Sequence, residues 1–386
     1  MNRHTIPLGR ILGIPLDLDP SWFLAFVMLT WTLAVNYYPA EFAHWPVAEY
    51  WLVGALTAVL MFGCVVLHEL GHSAVALRYK IPVRSITLFV FGGVSNIAAE
   101  PPSAAAEFWI AIAGPAVSLM LAVIFIALAV ILGALQFASA PAAPLLALAE
   151  YLAYINGSLA LFNLIPGFPL DGGRVLRAIL WGTTHSLQRA TLIAANVGRG
   201  IAYLFILGGA WQVLAGNVAD GLWIAFIGWF LADAAAAQLR QQTVQDVLAG
   251  HRVSQAMDHN YAEVGADTSL QALVDDYILS GGQRTFVVER AGQVEGLLTL
   301  SCIKEIPRAQ WPAFTAAQAM TPIAQVKQVR PDTDLWLALE EMDRDGVNQL
   351  PVIEGGRMQG MLSRADVIGC LRTMRAIGGR LPSPVR

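Results

Sequence analysis

The sequence predicts a polytopic α-helical membrane protein of about six transmembrane helices with a short membrane-associated β segment, followed by a soluble α/β domain pair. Three observations carry this. Charged residues make up 13% of the chain, about half the roughly 25% usual for soluble domains, and the mean hydropathy is +0.55. Several apolar stretches reach the roughly 20 residues needed to cross about 30 Å of hydrocarbon. Beyond Leu239 the composition turns polar and an internal repeat begins. A net charge of −4, with no arginine-rich arm or lysine run, gives no reason to invoke nucleic acid.

Residues 1–20 mix Arg3, Arg10, Asp17 and Asp19 with short apolar runs, unlike a cleaved signal peptide, so the run starting at Ser21 reads as a retained span. The expected spans are Trp22–Tyr38, Trp51–Leu77, Phe108–Leu135, Leu145–Ile165, Gly198–Leu214 and Leu222–Leu239. Trp22, Tyr37, Tyr38, Trp51 and Trp223 near their ends fit interfacial aromatic belts. Arg3, Arg10, Arg78, Lys80, Arg84, Arg174, Arg177, Arg189 and Arg240 all fall on one side of the resulting topology. The connections at 39–50, 136–144 and 215–221 hold no lysine or arginine. The positive-inside rule then places both termini in the cytoplasm, in a bacterial-type cell membrane.

The second span carries His68-Glu69-Leu70-Gly71-His72. Side chains four apart share one helix face, so both histidines can turn a ring nitrogen to one metal ion while Glu69 projects beside them. Two packed core histidines are the bland alternative, but ionisable groups in a membrane helix are rare unless they act. Cys64, one turn earlier, is a small packing residue or a further ligand. Cys64, Cys302 and Cys370 are too few and scattered for a disulfide framework.

Between the second and third spans, Ile86–Phe91 followed by Gly92-Gly93 reads as strand and turn, lying against the protein's own polar cavity. Ala113-Gly114-Pro115 in the third span predicts a kink with close helix approach. Asn156 and Asn163 interrupt the fourth, after which prolines and glycines leave Asp171 on an irregular bend at its cytoplasmic end.

Past the polar connection Gln241–Val247, Ala266-Asp267-Thr268-Ser269-Leu270 recurs as Pro331-Asp332-Thr333-Asp334-Leu335. Phe286–Glu289 likewise recurs as Leu350–Ile353, and Gly296–Leu298 as Gly360–Leu362. Such a repeat predicts two copies of one α/β unit sharing a core.

A catalytic zinc takes three protein ligands and keeps a fourth position for water. His68 and His72 give two; Asp171, placed at the same cytoplasmic side, is the best third, against the alternative of a turn-forming Asp-Gly. Zinc would bring bound water to a pKa near 7, and Glu69 would carry its proton to a leaving amine, which is amide hydrolysis. A peptide bond in a membrane helix must first unwind. Ile86–Phe91 is expected to pair with that unwound segment as an added strand.

These two motifs, His68-Glu69-Leu70-Gly71-His72 and Asn163 through Asp171-Gly172-Gly173, resemble those of the site-2 protease family of intramembrane zinc metalloproteases. The resemblance implies one Zn2+ per chain on His68, His72 and Asp171, Glu69 as general base, and cleavage of transmembrane protein substrates in the lipid membrane during regulated proteolysis. Asn163 matches a family position near the active site, where its amide would steady the oxyanion or the substrate carbonyl. The C-terminal pair resembles tandem CBS domains, which bind adenine nucleotides such as ATP or AMP, or serve as structural or dimerising modules that would make a homodimer. The nucleotide-contact pattern stands as Gly360, Ser363 and Asp366 in the second copy; in the first it reads Gly296, Thr299 and Cys302, and cysteine cannot accept the ribose bonds of an aspartate. The division expected is 1–239 for the membrane domain, 240–250 for a linker, 251–308 for the first CBS domain and 314–376 for the second. An ion transporter or channel gated by its CBS pair is the rival reading. It leaves unexplained a glutamate beside metal-spaced histidines.

Overall fold

The structure, a computed structural model, describes residues 5–90, 92–97, 99–136, 143–279, 283–355 and 357–376; Arg3, Phe91 and most of the 136–144 connection lie outside them. The chain divides into two compact units, one reaching to Arg240 and the other starting at Gln241.

In the first unit six helices are long and apolar enough to span a membrane. They are α1 (Ser21–Glu41), α2 (Val47–Arg78), α3 (Ala104–Gln136), α4 (Ala143–Asn163), α6 (Leu187–Leu214) and α7 (Val218–Leu248); a seventh, α5 (Asp171–Thr184), is shorter. Their outward faces stay apolar, with Val123 at 58%, Leu207 at 66% and Trp229 at 60% exposure. A solvent as apolar as lipid removes the usual reason to keep such side chains inside. Small residues bring the helices together: a methyl on Gly71 would stand 2.9 Å from Val117 of α3 and 3.0 Å from the Ala113 carbonyl. α3 runs on through Pro115 as one helix, so Ala113-Gly114-Pro115 does not end it. The fifth span begins earlier than the sequence suggests, at Leu187, and α7 continues through the polar connection to Leu248.

A four-stranded sheet lies against α2, in the order β1 (Ile6–Ile11), β2 (Ile14–Leu18), β3 (Val83–Phe89), β4 (Gly92–Ile97). β1 and β2 close through Leu12-Gly13, whose φ values of 54° and 80° suit a tight hairpin turn. β2 runs parallel to β3, with Leu16 opposite Ile86, and β4 runs antiparallel to β3, with Thr87 opposite Val94. This corrects one expectation. Residues 86–88 are paired on both sides and offer no free edge for an added strand; the sheet's edges are β1 and β4, and β4 is the one beside Glu69.

The second unit holds two matching α/β copies. β5 (Thr285–Arg290) and β7 (Gln349–Glu354) show the same burial sequence, with Phe286, Val287 and Val288 corresponding to Leu350, Pro351 and Val352. Hairpins complete each copy: β5 with β6 (Gln293–Thr299), and β7 with β8 (Arg357–Ser363). The segments entering the copies are exchanged. Val253 and Leu248 pack in the core around Leu335, Leu350 and Leu362, whereas Ala316 packs in the core around Leu270, Phe286 and Leu298. The repeated Asp-Thr segments receive them identically: Ala316 N donates to Thr268 O at 2.8 Å, and Val253 N donates to Thr333 O at 2.9 Å. A methyl on Gly360 would meet Asp258 O at 2.8 Å, so this glycine admits the crossing segment.

Candidate metal centre

One turn of α2 separates His68 and His72, which are 4% and 3% exposed. Their Nε2 atoms stand 3.2 Å apart, and Asp171 Oδ2 lies 3.2 Å from each. Among the described residues these three form the group of ligand-type side chains able to hold a metal ion. Cys64 is buried one turn before His68 and is not a member.

Asp171 arrives from far along the chain, and glycines make the approach possible. It opens α5 rather than lying on an irregular bend, which is a correction to the sequence reading: the Pro-Gly segment ends at Leu170 and the helix starts at once. A methyl on Gly172 would strike the carbonyls of Leu164 and Ile165, and one on Gly173 the backbone of Gly167 and Phe168. The Asp-Gly-Gly sequence is therefore the condition for folding α5 back on the end of α4. In the first turn of a helix, the carboxylate also meets the positive end of the backbone dipoles.

The imidazoles are oriented from α3. His72 Nδ1 donates to Ile110 O at 2.7 Å, which leaves Nε2 as the lone-pair nitrogen of the neutral ring. His68 Nδ1 lies 2.8 Å from Ser118 Oγ. Gly114, between them on α3, has no side chain to spare: a methyl there would come within 2.6 Å of His68 Nε2 and nearer still to His72 Nε2. Glu69 is half-buried, with β4 pressed against it, since a methyl on Gly93 would stand 2.8 Å from Glu69 Cγ. Ser73 and Ser95 join the two elements further along, Oγ to Oγ, at 2.7 Å.

The donor set suits zinc. Tetrahedral bonds of about 2.0–2.1 Å set ligand atoms roughly 3.3 Å apart, and all three edges here are 3.2 Å. Two imidazole nitrogens and a carboxylate oxygen so close are acceptors facing one another, which a cation among them would reconcile.

The family model for Peptidase family M50 matches residues 56–207, a stretch holding all three donors. A Synechocystis protein whose name assigns it to the zinc metalloproteases is 35% identical over 97% of this chain and 97% of its own length. The chain belongs to peptidase family M50, the site-2 proteases. It is similar also to the zinc metalloprotease of Methanocaldococcus jannaschii, at 28% identity over 95% of this chain and 96% of that one. The solved site-2 protease from the same organism is 31% identical, covering 61% of this chain and 95% of its own, with a TM-score of 0.42. A CBS-domain model matches residues 316–373. This site-2 protease is accordingly a multi-pass membrane zinc metalloprotease with a CBS-domain tail.

Other expected site residues fall as follows. Asn163 is the last residue of α4, half-buried, and its side chain makes no hydrogen bond among the described residues. Ser363 and Asp366 open α8 (Arg364–Ala376), where Ser363 N donates to Asp366 Oδ2 at 2.9 Å and Asp366 N donates to Ser363 Oγ at 3.2 Å. Both line a cleft of about 190 Å³ together with Asn260, Tyr261, Thr285 and Gln349. Ile110 and Ser118 escaped the sequence reading, and Gly114 was read only as a place of close helix approach. Their 4-residue spacing on one helix face was visible, but nothing in it says which helix that face meets.

Proposed function

We propose that this site-2 protease holds one zinc ion on His68, His72 and Asp171 and hydrolyses peptide bonds of transmembrane protein substrates in regulated intramembrane proteolysis. The observation that supports this most directly is the triangle of three donors with 3.2 Å edges. Zinc bound there supplies a water acidified to a pKa near 7 and a Lewis acid for the scissile carbonyl. Glu69 takes the proton of the attacking water and returns it to the leaving amine nitrogen. The uncommitted Asn163 amide donates to the substrate carbonyl oxygen as it gains charge. Metal analysis of the purified protein tests the assignment: about one zinc per chain is expected, with loss of metal and of cleavage of single-span substrates in His68→Ala and Asp171→Ala. Full zinc in Asp171→Ala would remove it from the ligand set.

The substrate segment, once unwound, adds to the free edge of β4, which passes Glu69 at Gly93. Successive strand N–H groups point to opposite sides, so of Val94→Pro and Ser95→Pro one removes a bond to β3 and the other an outward donor. The variant that spares the β3 ladder should fold and cleave about tenfold more slowly, as one lost hydrogen bond predicts. Wild-type cleavage in both variants would exclude strand addition here.

The cleft at Ser363 and Asp366 takes an adenine nucleotide. Among the described residues Asp366 Oδ1 has no hydrogen bond and can accept ribose hydroxyls, and Gln349 Oε1, on the same cleft, is buried without a partner. ATP and AMP titrations of the full chain should show saturable binding that Asp366→Ala weakens about 10- to 100-fold, the worth of hydrogen bonds to a charged acceptor. Affinity unchanged by Asp366→Ala would place the nucleotide elsewhere. Both termini and the CBS pair face the cytoplasm, on the side of Arg78, Lys80, Arg84, Arg174, Arg177 and Arg189. Digestion of the tail in inside-out vesicles, and protection in right-side-out ones, is the check on that orientation.

A further inference from the structure

Glu107 and Arg177 form a buried ion pair that the proposed chemistry does not use. Arg177 Nε donates to Glu107 Oε1 at 2.6 Å, and Arg177 Nη2 donates to the same oxygen. Glu107 is fully buried, Arg177 is 7% exposed, and Glu107 Oε2 has no hydrogen-bond partner among the described residues. A buried pair with one oxygen unsatisfied is a poor device for stability, because desolvation offsets its attraction and apolar residues of similar volume would serve as well. Its location suggests what it does instead.

Glu107, Ile110, Gly114 and Ser118 are spaced three, four and four apart, so they lie on one face of α3. That face orients His72 through the Ile110 carbonyl, orients His68 through Ser118, and gives both rings room at Gly114. Its remaining member, Glu107, grips Arg177 on α5, the helix that begins with Asp171. Arg177 also lies 5.3 Å over the ring of Phe168, in the loop that delivers Asp171. The same helix face thus fixes both imidazoles and the element bearing the carboxylate.

We propose that Glu107 and Arg177 are positioning residues for the metal centre: their pair sets where Asp171 stands against His68 and His72, with α3 as the common template for all three donors. The inference rests on the zinc assignment made above. Outer contacts that orient ligands typically change metal affinity 10- to 100-fold when removed.

The test uses zinc alone as the probe, with affinity measured by chelator competition on the full chain, beside the thermal unfolding midpoint, kcat and KM. In Glu107→Leu/Arg177→Met the buried charges leave together, so the protein should unfold at about the wild-type temperature and bind zinc about 10- to 100-fold more weakly. Arg177→Lys keeps the charge but not the planar fork. It should fold, lose about tenfold in zinc affinity, and lower kcat with KM little changed, because the β4 edge proposed to take the substrate is intact while the reacting centre is displaced. Wild-type zinc affinity in either variant, once folded, overturns the proposal; should the double variant not fold, Arg177→Lys decides alone. Absence of stoichiometric zinc in the wild-type protein would instead sink the metal assignment, and the positioning role with it.

Discussion

Glu69→Gln should retain one zinc per chain and lose at least two orders of magnitude in cleavage rate. The side chain neighbours a ligand but belongs to no edge of the donor triangle, so an isosteric amide leaves His68, His72 and Asp171 in place. Gly93 presses on the Glu69 Cγ region, which glutamine shares, so the local packing also survives. The carboxylate's capacity to accept a proton is what disappears, and positioned general bases contribute about 10²–10⁴-fold. The loss should appear in kcat with KM nearly unchanged, since substrate binding does not involve the proton. Metal analysis beside cleavage of a single-span substrate in proteoliposomes measures both quantities. Zinc loss in the variant would make Glu69 a ligand. An unaffected rate would remove its role as base.

Gly114→Ala should remove zinc from a site whose ligands are all intact. The added methyl would stand 2.6 Å from His68 Nε2 and closer to His72 Nε2, well inside van der Waals contact. Neither ring can turn away freely, because Ile110 O and Ser118 Oγ hold their other nitrogens. Metal–ligand distances tolerate only about 0.2 Å, so relief of the clash by ring displacement should weaken zinc binding about 100-fold or more. Gly133→Ala on the same helix is the control, since a methyl there meets nothing within 4 Å. It should bind and cleave like the wild type. Chelator competition on both variants gives the comparison, and equal affinities would mean that α3 yields at Gly114.

Much of this was legible before any coordinates. The histidine pair is a four-residue helical spacing, and six apolar stretches of sufficient length report their own burial in lipid. The repeat in the tail foretold two copies whose strands β5 and β7 share one burial sequence. Other features left little trace. The hairpin β1–β2 is short and carries Pro7 and Gly9, so its propensity is weak; its partner β3 lies some 70 residues away in sequence. Asp171 reads as a turn residue because Pro166, Gly167 and Pro169 precede it, and only the close fit of Gly172 and Gly173 against the end of α4 shows that a helix starts there. Glu107 and Arg177 stand 70 residues apart, and nothing local joins them as partners.

The sequence by itself singled out the residues proposed to carry the chemistry, because ligand identity, helical spacing and apolar length are local properties written within one or two turns of chain. Tertiary structure decided how they meet. It chose β4 rather than β3 as the strand left open beside Glu69, exchanged the entering segments of the two CBS copies, and made one face of α3 the support for two imidazoles and the helix of Asp171. Those choices depend on packing between elements tens of residues apart, where shape and the pairing of buried polar groups select among arrangements that the local pattern permits equally.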